Sequence, residues 1–135
     1  MVATYDTQWA GQFYVAYELC RRGYRIALTH GNMPQTDIIA VSPNGKSFRV
    51  EVKSMKDKNF WRYKRREIED DIYYFFVVSN EKLKIPRVSV LTSEETMTEY
   101  NRYKEAHPNS HQKGQWGALD TTIRKYVDQW EKLPK

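Results

Sequence analysis

The sequence predicts an α/β domain with an N-terminal helix, a mixed central sheet of about five strands, and two C-terminal helices. Three observations carry this. From Thr7 to Arg22, the residues Gln12, Val15, Ala16, Leu19 and Gly23 recur at the spacing of one helix face. Two apolar runs, "DIIAVS" and "SFRVEVKS", flank Pro43-Asn44-Gly45 as hairpin strands flank a turn. Thr92, with Glu95 three residues on, is a capping-box signature opening a helix to about Ala106.

The remaining elements follow in order. Gly23 closes the first helix as a C-terminal cap. "YRIALT", Tyr24 to Thr29, reads as a strand, and "HGNMPQ" is rich in turn formers. A charged stretch, "MKDKNFWRYKRREIEDD", separates the hairpin from an aromatic and β-branched strand, Ile72 to Ser79. "RVSVLT" is another strand. After the loop "HPNSHQKGQWG", Asp120 is expected to cap a last helix with Ile123, Val127 and Trp130 on one face. The 135 residues suit one domain, 1–135, with one core.

Composition narrows the partners. Hydrophobic residues make 40% and charged ones 29%, a soluble globular balance. The net charge of +5 points to an anionic partner, nucleic acid before membrane surface. A single cysteine, Cys20, rules out an internal disulfide and fits a reducing compartment. The N-terminal residues have no signal-peptide pattern, and no run approaches the roughly 18 apolar residues of a membrane span. A cytoplasmic location is expected.

The stretch "TDIIAVSPNGKSFRVEVKS" holds the chemistry. Pro43 suits the first central position of a type I turn, Asn44 the second, and Gly45 the left-handed position that follows. That is a three-residue hairpin loop with a glycine bulge. Ser42 then faces Lys46 and, counting back along both strands, Asp37 faces Glu51. Lys53 shares the face of Glu51, because strand side chains alternate with period two. A two-residue Asn-Gly turn would instead pair Asp37 with Val52 and send the acid to the other face. Pro43 favours the longer loop.

Two like charges directly opposed destabilise a sheet. A divalent cation between them reverses that sign, and carboxylate oxygens with retained waters are what magnesium prefers. A lysine beside the metal orients or helps deprotonate a water. Together with a basic face, this amounts to phosphodiester hydrolysis.

Asp37 followed after a hairpin by Glu51-Val52-Lys53 resembles the PD-(D/E)XK nuclease superfamily. "GQFYVAYELCRRGYRIALTHGNMPQTDIIA" resembles the opening of its small bacterial members, among them junction-resolvase-like proteins. The resemblance spans about residues 9 to 79. It implies a restriction-endonuclease-like core and a magnesium-dependent DNA endonuclease, with manganese as a possible substitute and RNA not excluded as substrate. Asp37 and Glu51 would hold the metal with the backbone carbonyl of Val52, and Lys53 would serve the attacking water. Gln12 stands where many relatives carry glutamate, and its amide would orient a metal-bound water. The family's proline before the aspartate is replaced by Thr36. The size of the chain, close to that of dimeric junction resolvases, implies a homodimer.

The charged stretch supplies Lys56, Lys58, Arg62, Lys64, Arg65 and Arg66, with Trp61 among its interleaved aromatics. Such a mixture binds phosphates and stacks on bases, or forms a solvated face with an anchoring ring. His107 and His111 flank Pro108 and lack a neighbouring acid or cysteine, so zinc is not expected. Two other readings stand beside the nuclease. One is a nucleic-acid-binding module that kept the fold and lost catalysis, which Gln12 favours. The other is a protein-binding immunity or anti-restriction factor.

Overall fold

The computed structural model describes residues 4–57, 59–110 and 113–135. Lys58 and His111, both named above, lie outside the described residues. Helix α1 spans Thr4–Arg21, starting one turn earlier than its apolar spacing suggests. It ends where Gly23 takes φ +94° and Tyr24 N–H returns to the Leu19 carbonyl at 3.0 Å. Strands β1 (Arg25–Leu28), β2 (Ile38–Val41) and β3 (Ser47–Met55) form an antiparallel meander. A chain crossover brings β5 (Ile72–Val78) alongside β3 in parallel, and β6 (Arg87–Thr92) returns antiparallel to β5. The five-stranded order is β1-β2-β3-β5-β6.

The hairpin has the expected register. Ser42 N–H donates to Lys46 O at 2.8 Å, Gly45 N–H to Ser42 O at 2.9 Å, and Gly45 sits at φ +86°. Pairing then runs from Val41 opposite Ser47 to Ile38 opposite Val50. This is the three-residue loop, in which the glycine takes the left-handed position at no steric cost.

Alternation along β3 and β5 divides the core. Phe48, Val50, Val52, Phe75 and Val77 meet Val15 and Leu19 of α1 on one face. Met55, Ile72, Tyr74 and Phe76 meet Met97 and Tyr100 on the other. The latter two belong to α2 (Ser93–Ala106), whose N-terminus carries the expected capping box: Glu95 N–H donates to Thr92 Oγ1 at 3.1 Å, and Thr92 N–H to Glu95 Oε1 at 2.9 Å.

The structure departs from the expected layout in three places. The charged stretch contains a short strand, β4 (Phe60–Arg62), which pairs with β7 (Gly117–Leu119) in a second, two-stranded sheet. The last helix is reduced to one turn, α3 (Asp120–Ile123), followed by 3-10 turns at Arg124–Tyr126 and Trp130–Lys132. Between them Val127 is extended and bridges Ser89, and Asp128 takes φ +58°. Asp120 does not cap. The N-cap is Leu119, without a side-chain bond, and the buried Asp120 carboxylate instead accepts from Trp61 Nε1 (2.8 Å), Arg87 (2.7 Å) and Arg124 (2.8 Å). A buried carboxylate costs least where cations and donors converge on it.

Candidate active site

The β2–β3 ladder stops at Ile38 and Val50, while β3 continues to Met55. Past that point Val52 turns its amide and carbonyl to side chains rather than to a strand. Its N–H donates to Asp37 Oδ2 at 2.7 Å, and its carbonyl accepts from Gln8 Nε2 at 2.8 Å. The unequal length of the two strands therefore fixes Asp37 against the middle residue of Glu51-Val52-Lys53. Gln12, buried on α1, donates to Asp37 Oδ1 across a long 3.4 Å. Gln8 was not anticipated from sequence. Its signal was its place one helical turn before Gln12, on the same face.

Glu51 and Lys53 point to the face opposite α1. The Lys53 ammonium lies 3.1 Å from Glu51 Oε2, and Arg66 Nη1 contacts Glu51 Oε1. Glu51 is 5% exposed, and its Oε2 makes no aligned hydrogen bond despite the nearby ammonium. Tyr74, the residue beside Glu51 on β5, lies close to Arg66. Burial raises the Asp37 carboxyl above the ordinary carboxylate range, and the Glu51 charge adds to this. The Val52 N–H, Lys53 and Arg66 oppose it. These groups line an open cleft of about 480 Å³, with Gln35 on its rim at φ +60°.

Among the described residues no three His, Cys, Asp or Glu side chains group as metal ligands. The donor set is two carboxylates and the Val52 carbonyl, all hard oxygens, with the Gln12 amide beside Asp37. Glu51 Oε2, which lacks an aligned hydrogen bond, and the buried Asp37 carboxyl are oxygen donors of the kind magnesium takes, and with the Val52 carbonyl they would leave most of its shell to water.

The basic stretch divides by strand period. Arg62, Lys64 and Arg65 are exposed. Trp61 and Tyr63 are each 4% exposed: the Trp61 indole is bound to Asp120 and stands edge-on to Phe76, and the Tyr63 hydroxyl donates to Thr96 O at 2.9 Å. Trp61 is therefore not available to stack on bases, because β4 turns alternate residues into the second core. Lys56 is half-buried, and its carbonyl accepts from Asn80. Arg66 points inward to Glu51 rather than outward with its neighbours.

No family model, curated protein or solved structure matches the chain. No described helix is long and apolar enough to cross a membrane.

Proposed function

We propose that the protein is a divalent-metal-dependent DNA endonuclease, with RNA the alternative substrate. The observation that carries the reading is the meeting of Asp37, Glu51, Val52 and Lys53 at the open end of the β2–β3 ladder. Asp37, Glu51 and the Val52 carbonyl would hold magnesium, which when bound supplies Lewis-acid polarisation of a phosphodiester oxygen and a more acidic water. Lys53 orients the attacking water and takes part in its deprotonation. Gln8 and Gln12 hold the Val52 carbonyl and Asp37 in place, so these two groups are preorganised for the metal. Arg62, Lys64 and Arg65 neutralise backbone phosphates beside the cleft. The unpaired Cys20 suits a cytoplasmic setting.

A second reading, a nuclease fold that binds nucleic acid without cutting, is favoured by the contacts of Glu51, which already has two cations beside it. A cleavage panel of duplex, single-stranded, nicked and branched DNA and RNA separates the two. Cutting that needs magnesium or manganese, stops with chelator and is lost in Lys53→Ala supports the enzyme. Retention of the probes without cutting supports the binding module, and neither binding nor cutting favours a protein partner.

The homodimer belongs to the same proposal. Tyr5, Trp9, Phe13 and Tyr17 recur every fourth residue along the outer side of α1. Tyr5, Phe13 and Tyr17 are 70%, 55% and 60% exposed, and Trp9 stacks on Phe13 at 5.3 Å. At about 200 Å² per ring this leaves roughly 350 Å² of apolar surface open, within the range of the largest patch on a typical monomer, which is often functional. Between Asp6 and Arg21 the helix carries one charged residue, Glu18, which is buried and paired with Arg21 and Arg22. A face without cations does not suit nucleic acid on a protein of net charge +5. A ridge of fourth residues is self-complementary in helix packing, so the occupant is α1 of a second copy.

A further inference from the structure

Arg66 approaches the site from an unusual direction. It belongs to the segment between β4 and β5, residues 63–69, which has no regular secondary structure, and Lys64, Arg65 and Glu67 around it are exposed. Its main chain is lightly held: the Arg66 N–H points at Met97 Sδ at 3.3 Å. Its side chain nevertheless turns away from solvent to Glu51 and Tyr74. A cation from the nucleic-acid-facing stretch thus sits on the carboxylate that the proposed metal needs.

Charge counting gives this contact a consequence. By formal charge, Asp37 and Glu51 contribute at most two negative charges and Lys53 and Arg66 two positive ones, so the cluster carries no net negative charge. A divalent cation added there meets Arg66 and Lys53 as like charges, and Arg66 already occupies Glu51 Oε1. A phosphodiester delivered by Arg62, Lys64 and Arg65 offers Arg66 a different anion. A guanidinium binds phosphate in the same two-pronged way that it binds carboxylate.

We propose that Arg66 is a phosphate-binding residue that covers Glu51 until nucleic acid arrives, so that nucleic acid and metal load cooperatively. This rests on the nuclease reading above. Nucleic acid draws Arg66 off Glu51 and opens the carboxylate to metal. Because coupling between two ligands is reciprocal, metal tightens nucleic-acid binding by the same factor.

Two measurements on the full chain test this. Mn²⁺ uptake by protein alone, read from the electron paramagnetic resonance of free Mn²⁺, compares wild type, Arg66→Gln and Glu51→Gln. Binding of a fluorescent DNA duplex, read by anisotropy at constant ionic strength, is followed with and without Ca²⁺. The expected result is Mn²⁺ uptake at least tenfold tighter in Arg66→Gln than in wild type. Ca²⁺ should tighten duplex binding about tenfold in wild type and less than twofold in Arg66→Gln. Glu51→Gln should lose the Mn²⁺ site. Equal or weaker Mn²⁺ uptake by Arg66→Gln, with wild-type uptake intact, overturns the role of Arg66 and leaves the nuclease reading standing. No Mn²⁺ uptake by any of the proteins, with or without DNA, removes the nuclease reading and this inference together. If Arg66→Gln does not fold, the wild-type duplex measurement decides: an affinity indifferent to Ca²⁺ overturns the coupling.

Discussion

Replacing Gln12 with Glu tests whether the site is built for a metal. The Gln12 amide is buried and faces Asp37 Oδ1 at 3.4 Å. The substitution sets a second carboxylate at that distance. At an effective dielectric constant near 20, two unit charges so placed repel by roughly 4–5 kcal/mol. Proton uptake limits the damage. Keeping one carboxyl neutral at pH 7.5, from an ordinary glutamate value near 4.3, costs about 4 kcal/mol at 1.4 kcal/mol per pH unit. The two limits agree, so the metal-free variant should lose about 4 kcal/mol at pH 7.5 and only about 1 kcal/mol at pH 5. For a domain of this size the loss at pH 7.5 corresponds to a Tm drop of about 12–20 °C. Thermal unfolding followed by circular dichroism, at both pH values and with or without 10 mM magnesium, measures it (the concentration is about that needed to fill a weak site). Magnesium should restore most of the loss at pH 7.5, because the new carboxylate completes its shell, and cleavage should be kept or raised. An equal drop with and without magnesium, and no cutting, would refute the metal argument and favour the binding module. No drop at all would mean that Gln12 does not face Asp37.

Three further outcomes are expected. Asp37 holds its proton above the ordinary carboxylate range because it is buried. The folded state therefore binds that proton more readily than the unfolded chain, and the stability it contributes is full below the unfolded value and lost as pH rises through the folded one. Asp37→Asn should thus gain on wild type in urea midpoints between pH 4 and pH 7, while losing metal binding; a constant difference across that range would count against the burial argument. Replacing Arg62, Lys64 and Arg65 together with Ser should lower the log–log salt slope of duplex binding by about 0.9 for each phosphate that is no longer neutralised, and an unchanged slope would show that this face points away from nucleic acid. Replacing Trp9 and Phe13 with Ser should convert a dimer to a monomer in sedimentation equilibrium without loss of helicity, whereas a monomeric wild type would remove the α1 interface.

The parts of this molecule that were legible in sequence are those set by near neighbours. Pro43-Asn44-Gly45 dictates its own loop geometry, and that loop sets the register from Val41 opposite Ser47 to Ile38 opposite Val50. The common face expected for Asp37 and Glu51 did not follow, because past the ladder Asp37 turns to Val52 N–H and to Gln12 of α1 while Glu51 points away from that helix. Thr92 and Glu95 satisfy each other across three residues. What escaped depends on distant partners. Strand β4 is three residues long and exists because β7, more than fifty residues later, pairs with it. Its inward aromatics, Trp61 and Tyr63, alternate with outward cations, so a period-two signal is present in what looks like simple interleaving. The position of Asp120 was found but its task was not, since Trp61 and Arg87 reach it from other elements. The contact between Arg66 and Glu51 spans the β3–β5 crossover, and no local pattern announces it.

That crossover also orders events during synthesis. Parallel pairing of β3 with β5 carries the intervening segment across one face, where it is held by groups made later: Tyr63 N–H by Trp116 O at 2.9 Å, Tyr63 Oη by Thr96 O, and Arg66 N–H by Met97. The β1–β2–β3 meander draws on contacts close in the chain, whereas this fastening needs residues 96–118. A nascent chain that has emerged only as far as β6 carries Asp37, Glu51 and Lys53 on their strands but lacks the groups that seat the arm bearing Arg66. The cleft is finished only when α2 and β7 have left the ribosome. What is completed late is thus the cover over Glu51, after the strands that carry the proposed metal ligands are in place.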